Sequence, residues 1–432
     1  MIEEILRAKG IIGKKLKING TTKAEYPIKS GETLTTGDLV NILNVANDVF
    51  TIEASQPFGD LGDLTFKALA LSKEKILLYY RKGATTNLTA KIVVLKNGKI
   101  TIGSEYVLRT NCGSSFDAGI VSDNVVIFTY RDTSNLIQAY LLNIEDTTIT
   151  LGSGFNVFPN SSNYVSILVL NPSVAIVYFQ NTSNEFNYAY NVSIRGGSLA
   201  LHDVANPVTV SQYSNRSVET TMLTQVTGFI VFQNQSTGSL GYIALFELDR
   251  DGVRTLSGIA YSFTTIAVSE YNLTRLNDTQ VLLTYITQNE ARARVVTKSG
   301  NVPSLGTEIV LSTISGRQRV IKLSDTRLMV MHSDNDGNGI YTTKLSILNI
   351  SGTTITIEST EVIDNNYLSW FQFVEVDEDK LFFYMEGDDY SVGYTKRLKG
   401  EKEVEKSTSY ETDGLVYGVN GNIAKIYKWG VI

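Results

Sequence analysis

The sequence predicts an all-β protein: a seven-bladed β-propeller with a small β module formed by the N- and C-terminal segments. Three observations predict it. An apolar run closing on an aromatic residue recurs at a nearly constant interval, each copy is flanked by further strand-like runs and turns, and the composition favours strands throughout. The 432 residues include 23 Tyr, 17 Phe and 34 Gly but only 6 Pro, with 43% hydrophobic and 19% charged residues. That balance suits strands joined by short turns and supports a packed core.

The recurring run reads Lys75-Ile-Leu-Leu-Tyr-Tyr80, and its later copies end at Tyr130, Phe179, Phe232, Tyr285, Met331 and Tyr384, at intervals of 50, 49, 53, 53, 46 and 53 residues. A strand-like run precedes it, as in Phe66 to Leu71, Tyr164 to Leu170, Arg319 to Leu323 and Phe371 to Val376. A third follows a polar loop, as in Leu88 to Leu95, Gln138 to Ile144, Gly241 to Leu248 and Thr343 to Leu348. Turns carrying Asn97-Gly98, Asp251-Gly252 or Ser351-Gly352 lead to a fourth, where glycine accepts positive φ cheaply. A four-stranded sheet of this size exposes two faces and must hide both against neighbours. The second strand, apolar at nearly every position, is the one expected to be covered on both sides. Radial stacking meets this demand. A solenoid would repeat at about 20 residues and an immunoglobulin-like array at about 100, and almost no helical periodicity appears beyond Ile2 to Arg7.

The period breaks at both ends, giving the division 1–58, 59–405 and 406–432. A strand is expected at Leu39 to Leu43 and two more about an Asn-Gly turn between Gly414 and Gly430. Neither end is large enough to bury a core alone. Paired, they make one module with the propeller inserted between its halves, which is easy because a propeller's entry and exit lie close together.

Charge and composition narrow the partners. A net charge of -6 offers no general attraction for a phosphate backbone, so nucleic acid is not an expected partner. No apolar run reaches membrane-spanning length, and the first ten residues lack the pattern of a secretory signal. Cys112 is the single cysteine, so no intrachain disulfide can form. Histidine occurs only at 202 and 332, far apart and without metal-ligand or triad spacing. No nucleophile elbow, Walker loop or dinucleotide fingerprint is present in its proper context. The expectation is therefore a protein that is not an enzyme.

Three sets of side chains remain as candidates. Asp117, Glu219 and Glu375 lie near first strands, where the torus converges, and Arg216, Arg317 and Arg319 are the basic residues an acidic-substrate hydrolase would require. His332-Ser-Asp334-Asn-Asp336-Gly-Asn338-Gly resembles the front half of a calcium loop, with Asp334, Asp336 and Asn338 as oxygen ligands for a structural calcium ion. The twelfth position, where such a loop wants Glu, is Leu345, and an Asp/Asn/Gly hairpin needs no ion at all. Tyr188, Tyr190, Tyr213, Tyr261, Tyr271, Tyr367 and Trp370 fall in less regular stretches and are the candidate binding aromatics, suited to stacking on sugars or anchoring a protein contact.

Gly37-Asp-Leu-Val40 near the start, answered by Gly418-Val-Asn-Gly-Asn-Ile-Ala-Lys-Ile-Tyr427 near the end, resembles the small β modules in structural proteins of tailed bacteriophages. The match covers about 40 residues, and Gly418 to Gly421 is more compact than the loop usual in such proteins. The resemblance implies a virion component, anchored through the terminal module and displaying the propeller to other virion proteins or a host-surface glycan. It leaves a homo-oligomer open, with no heptads to enforce one. The competing expectations are a glycan-acting hydrolase with a propeller catalytic domain and a cellular propeller interaction scaffold.

Overall fold

The computed structural model describes residues 21–27, 33, 39–44, 50–52, 56–60, 66–83, 85–96, 99–201, 208–211, 218–234, 237–248, 260–288, 290–313, 318–335, 341–364, 368–376, 379–386, 392–400, 402–406, 414–420 and 423–429. Among these there is no α-helix, and the sheets are antiparallel. The chain forms two compact units, one of residues 1–53 and 398–432, the other of 54–397.

The terminal unit is one sheet drawn from both ends of the chain. Its strands run in the order Thr21–Pro27, Ile423–Trp429, Gly414–Asn420, Leu39–Asn44 and Lys402–Lys406. The paired runs about the Asn-Gly turn are thus flanked on either side by N-terminal strands. The short helix expected near residue 2 lies outside the described residues.

The larger unit is a β-propeller. Its first sheet contains Phe66–Ala70, Lys75–Arg81, Leu88–Lys96, and an outer edge split between Lys99–Ile102 and Tyr106–Arg109. The second is Cys112–Ser122, Val125–Asp132, Ile137–Glu145 and Thr148–Phe158. The third begins with Ser162–Asn171, Val174–Asn181 and Asn187–Arg195. The fourth starts with Val218–Met222, Thr227–Asn234 and Leu240–Glu247 and is completed by the front of a long strand, Tyr261–Arg275. The back of that same strand opens the fifth, with Gln280–Thr287, Glu290–Ser299, Val302–Leu305 and Ile309–Ser312. The sixth is Gln318–Lys322, Arg327–Asn335, Tyr341–Ser351 and Thr354–Asp364.

The closing sheet holds Leu368–Val376, Asp379–Glu386 and Val392–Gly400, and the last of these pairs along its outer edge with two earlier strands, Phe50–Ile52 at one end and Gln56–Asp60 at the other. The compact units divide at 53/54, which keeps Gln56–Asp60 with the propeller, whereas the break in the period reads at 58/59. Likewise Lys402–Lys406 pairs with Leu39–Asn44, which moves the other boundary from 405/406 to 397/398. Innermost strands lie beside one another in closed order, from Phe66–Ala70 through each sheet to Leu368–Val376 and back to Phe66–Ala70.

The cores lie between consecutive sheets. Leu77, Tyr79 and Ile92 of the first sheet pack with Phe116, Val126 and Phe128 of the second. Ile127 and Leu141 pack with Val177 and Phe179, and Ile176 and Tyr178 with Ile230 and Phe232. Odd and even residues of one strand therefore serve different cores, which is why the second strands are apolar at every position. Phe58 on the closing strand is 2% exposed and sits among Phe66, Tyr80 and Phe383, with ring centroids at 5.7, 6.2 and 5.7 Å. Gly352 takes φ +62° in the hairpin between Ser351 and Thr354, as the Ser-Gly turn requires.

Cys112 is buried, and burial pushes its thiol up to about 11. Since the thiolate is the reactive form, Ellman's reagent should label the native protein negligibly and the guanidinium-unfolded protein fully. Rapid native labelling would contradict this packing.

Candidate functional site

Seven polar side chains occupy equivalent positions on the innermost strands. They are Lys67, Asp117, Ser166, Glu219, Asn272, Arg319 and Gln372, each one residue after a buried position. Their cross-strand partners are Tyr79, Thr129, Tyr178, Val231, Thr284, Met331 and Phe383, the penultimate or last residues of the repeated apolar runs. The repeat itself therefore assembles this belt, because a fixed register places the same polar position of every sheet at one level.

The bonds run from sheet to sheet. Lys67 Nζ lies 2.7 Å from Asp117 Oδ1, while Asp117 Oδ2 accepts from Ser166 Oγ at 3.1 Å and from the Ile167 N–H at 3.0 Å. One carboxylate thus clasps three sheets. Asn272 Nδ2 donates to the Gln318 carbonyl at 3.3 Å, and Arg319 Nε to Gln372 Oε1 at 3.3 Å. Arg319 Nη1 also donates to its neighbour's carbonyl at 2.8 Å and stands 3.8 Å from Glu270 Oε2.

Glu219 differs from the rest. The residue is exposed at the surface, yet desolvation by the surrounding belt still pushes its carboxyl above the usual range. The Asp117 charge adds to that shift, while Lys67 and Arg319 oppose it. Asp117, Glu219 and Arg319, three of the residues nominated as an acidic-substrate set, do share one electrostatic neighbourhood. The side chain of Glu375 and residues Arg216 and Arg317 lie outside the described residues. Within this set the Asp117 carboxylate already accepts from three donors, Lys67, Ser166 and the Ile167 N–H.

The four aromatic candidates whose side chains are described, Tyr188, Tyr190, Tyr261 and Tyr271, are spread over the third, fourth and fifth sheets. Tyr271 is buried in the core between the fourth and fifth sheets, and Tyr190 in that between the second and third. Neither presents a surface, because each follows the in–out alternation of its strand. Tyr188 is half-buried, stacked on Phe179 at 6.1 Å, and its hydroxyl accepts from Asn184 Nδ2 at 2.7 Å. Tyr261 is exposed. Tyr213, Tyr367 and the side chain of Trp370 lie outside the described residues. In the candidate calcium loop, Asp334 accepts from Ser312 Oγ at 2.6 Å and pairs with Lys344. Asp336 and Asn338 lie outside the described residues. Among the described residues no three His, Cys, Asp or Glu side chains group as metal ligands.

No protein-family model matches the chain, and no curated protein matches it. Solved structures do resemble it in fold. A candidate 6-phosphogluconolactonase from Bacteroides uniformis superposes with a TM-score of 0.52 at 12% identity, over 77% of this chain and 99% of the other. BBS1N, crystallised in complex with ARL6DN, gives 0.51 at 10% identity, over 81% and 97%. A protein from Lactobacillus plantarum gives 0.51 at 9% identity, over 77% and 98%. At such identities the likeness defines the architecture and leaves function to the residues.

Proposed function

We propose that this chain is a non-enzymatic binding protein, a seven-bladed propeller presented from the sheet that its two ends share, and that it is a structural component of a tailed-phage particle. The observation that carries the reading is the terminal sheet. Strands from residues 21–44 and 402–429 interleave in it, so the larger unit is inserted between the halves of a separate one. That is the arrangement implied by the resemblance to phage β modules, with one unit for attachment and one for display. The closed order of seven innermost strands supports the blade count. The clasp at Asp117 supports a binding rather than hydrolytic role, since a carboxylate bound to Lys67, Ser166 and Ile167 holds sheets together. The partners on this reading are other virion proteins and a host-surface glycan.

Mass spectrometry of purified particles from the producing host tests the placement. The protein should copurify at constant stoichiometry with the particle, and its absence overturns the virion role. A hydrolysis screen on host polysaccharide tests the chemistry. No turnover is expected, and turnover lost in Glu219→Gln would establish the hydrolase instead.

A further inference from the structure

Between the outer strand of the fourth sheet and the face of the fifth lies a cleft of about 380 Å³, lined among others by Phe263, Thr264, Thr287, Arg292, Arg294 and Glu308. The volume falls within the roughly 300–1,000 Å³ typical of small-ligand sites. Its polar groups are held in place by one carboxylate. Glu308 accepts from the Tyr285 hydroxyl and from Arg292, and Arg294 Nη2 lies 2.7 Å from Glu308 Oε2. Arg292 Nε donates to Glu290 at 3.0 Å. Phe263 packs edge-on against Tyr285, with centroids 5.0 Å apart, and gives the cleft an apolar floor.

The first sheet carries the same motif in a closed form. Tyr80 donates its hydroxyl to Glu105 at 2.9 Å, and Gly103 precedes Glu105 as Gly306 precedes Glu308. Both glycines donate their N–H to a third-strand carbonyl at 2.8 Å, Gly103 to Ile92 and Gly306 to Val295. The motifs differ on the third strand, where Thr89 and Lys91 stand in place of Arg292 and Arg294, and again two residues beyond the tyrosine. In the first sheet Lys82 stands there and puts Nζ 2.7 Å from Glu105, whereas in the fifth the position is Thr287. A short side chain thus replaces a long cation at that position, and the two arginines of the third strand hold the carboxylate instead. Two polar atoms of the cleft's lining residues are left unsatisfied: Thr287 Oγ1, on a residue 1% exposed, and Arg294 Nε are both buried without a hydrogen-bond partner.

We propose that this cleft binds a neutral polyhydroxylated ligand, a monosaccharide unit of a glycan, through the Arg294 N–H groups and the Thr287 hydroxyl. Two guanidiniums, Arg292 and Arg294, are balanced by two carboxylates, Glu290 and Glu308, so the site has no excess charge to recognise an ion. Rigid donors beside an apolar floor match sugar hydroxyls above a ring face. The proposal rests on the binding reading given above and supplies its site.

The test is a glycan array probed with the full chain, with saturation-transfer NMR on each hit. Wild type should bind neutral hexose- or deoxyhexose-terminated glycans. Thr287→Lys, which puts the first sheet's cation at this position, should lose at least tenfold in affinity. Thr287→Val, which keeps the volume and removes the hydroxyl, should lose roughly tenfold and serves if the lysine variant does not fold. Thr287→Ser should bind as wild type. Neutral-glycan binding undiminished in both the lysine and valine variants overturns the cleft and leaves the glycan reading standing. Binding confined to uronic or sialic acids overturns the neutral-ligand assignment. No glycan binding by wild type overturns both, while the virion role is judged separately by particle composition.

Discussion

Replacing Phe58 by alanine should destabilise the propeller by about 3–5 kcal/mol, the range for removing a large buried aromatic. The side chain fills a space shared by the first and closing sheets, against Phe66, Tyr80 and Phe383, and Val374 belongs to the same cluster. Its strand is also what completes the closing sheet, through the pairs Val392↔Asp60, Gly393↔Gly59, Tyr394↔Pro57 and Thr395↔Gln56. Loss of the ring therefore weakens both the core and the closure of the torus. Scanning calorimetry of the alanine and leucine variants would check this. Leucine, closer in volume, should cost under about 1.5 kcal/mol. An alanine variant that melts with wild type would show that Gln56–Asp60 does not close the ring.

The second large effect concerns acid. His332 is 1% exposed, and burial lowers its pKa from 6.5 to about 4, with Lys344 adding to the shift and Asp334 opposing it. Its Nε2 shares a 2.9 Å hydrogen bond with Ser346 Oγ, while Nδ1, like both amide atoms of the cross-strand Gln318, has no partner. The imidazole is therefore neutral in the folded protein, and the unfolded chain takes up a proton that the folded chain refuses. Stability is intact above about 6.5 and falls as pH drops toward about 4. The loss amounts to about 3 kcal/mol in all. Guanidinium titrations between pH 7 and about 5, above the ordinary carboxylate range, isolate the histidine as the difference between wild type and the His332 variant, because the raised Glu219 carboxyl is common to both. His332→Gln should flatten that slope and His202→Gln should leave it. A wild-type slope in the His332 variant would show that the ring ionises in place.

The repeated sheets were legible because covering a strand on both faces removes its polar residues, and that leaves a mark in any sequence. Runs such as Val174 to Phe179 announce themselves without knowledge of their neighbours. The closing strand left no such mark. Gln56-Pro-Phe-Gly-Asp60 is short, and its partners lie more than 300 residues away, so the pairing follows from closure of the ring rather than from local pattern. The same distinction separates the candidate side chains. Asp117, Glu219 and Arg319 could be nominated because each sits near the start of a first strand, and the common register brings them to one belt. Tyr190 and Tyr271 looked surface-bound only because their surroundings are irregular in sequence. The cleft was missed because Arg292 and Arg294 alternate with Ala291, Ala293 and Val295 like any outward-facing pair. Glu308 becomes their partner only through cross-strand pairing. One clue was present: Gly103-Ser-Glu105 and Gly306-Thr-Glu308 are copies of one phrase, each in a repeat whose apolar run ends in tyrosine.

One uninterrupted length of backbone, Tyr261–Arg275, edges one sheet with its front and begins the next with its back. Here the two sheets share a member where a separate connection would otherwise stand, so the facing walls of the cleft are tied together by one strand.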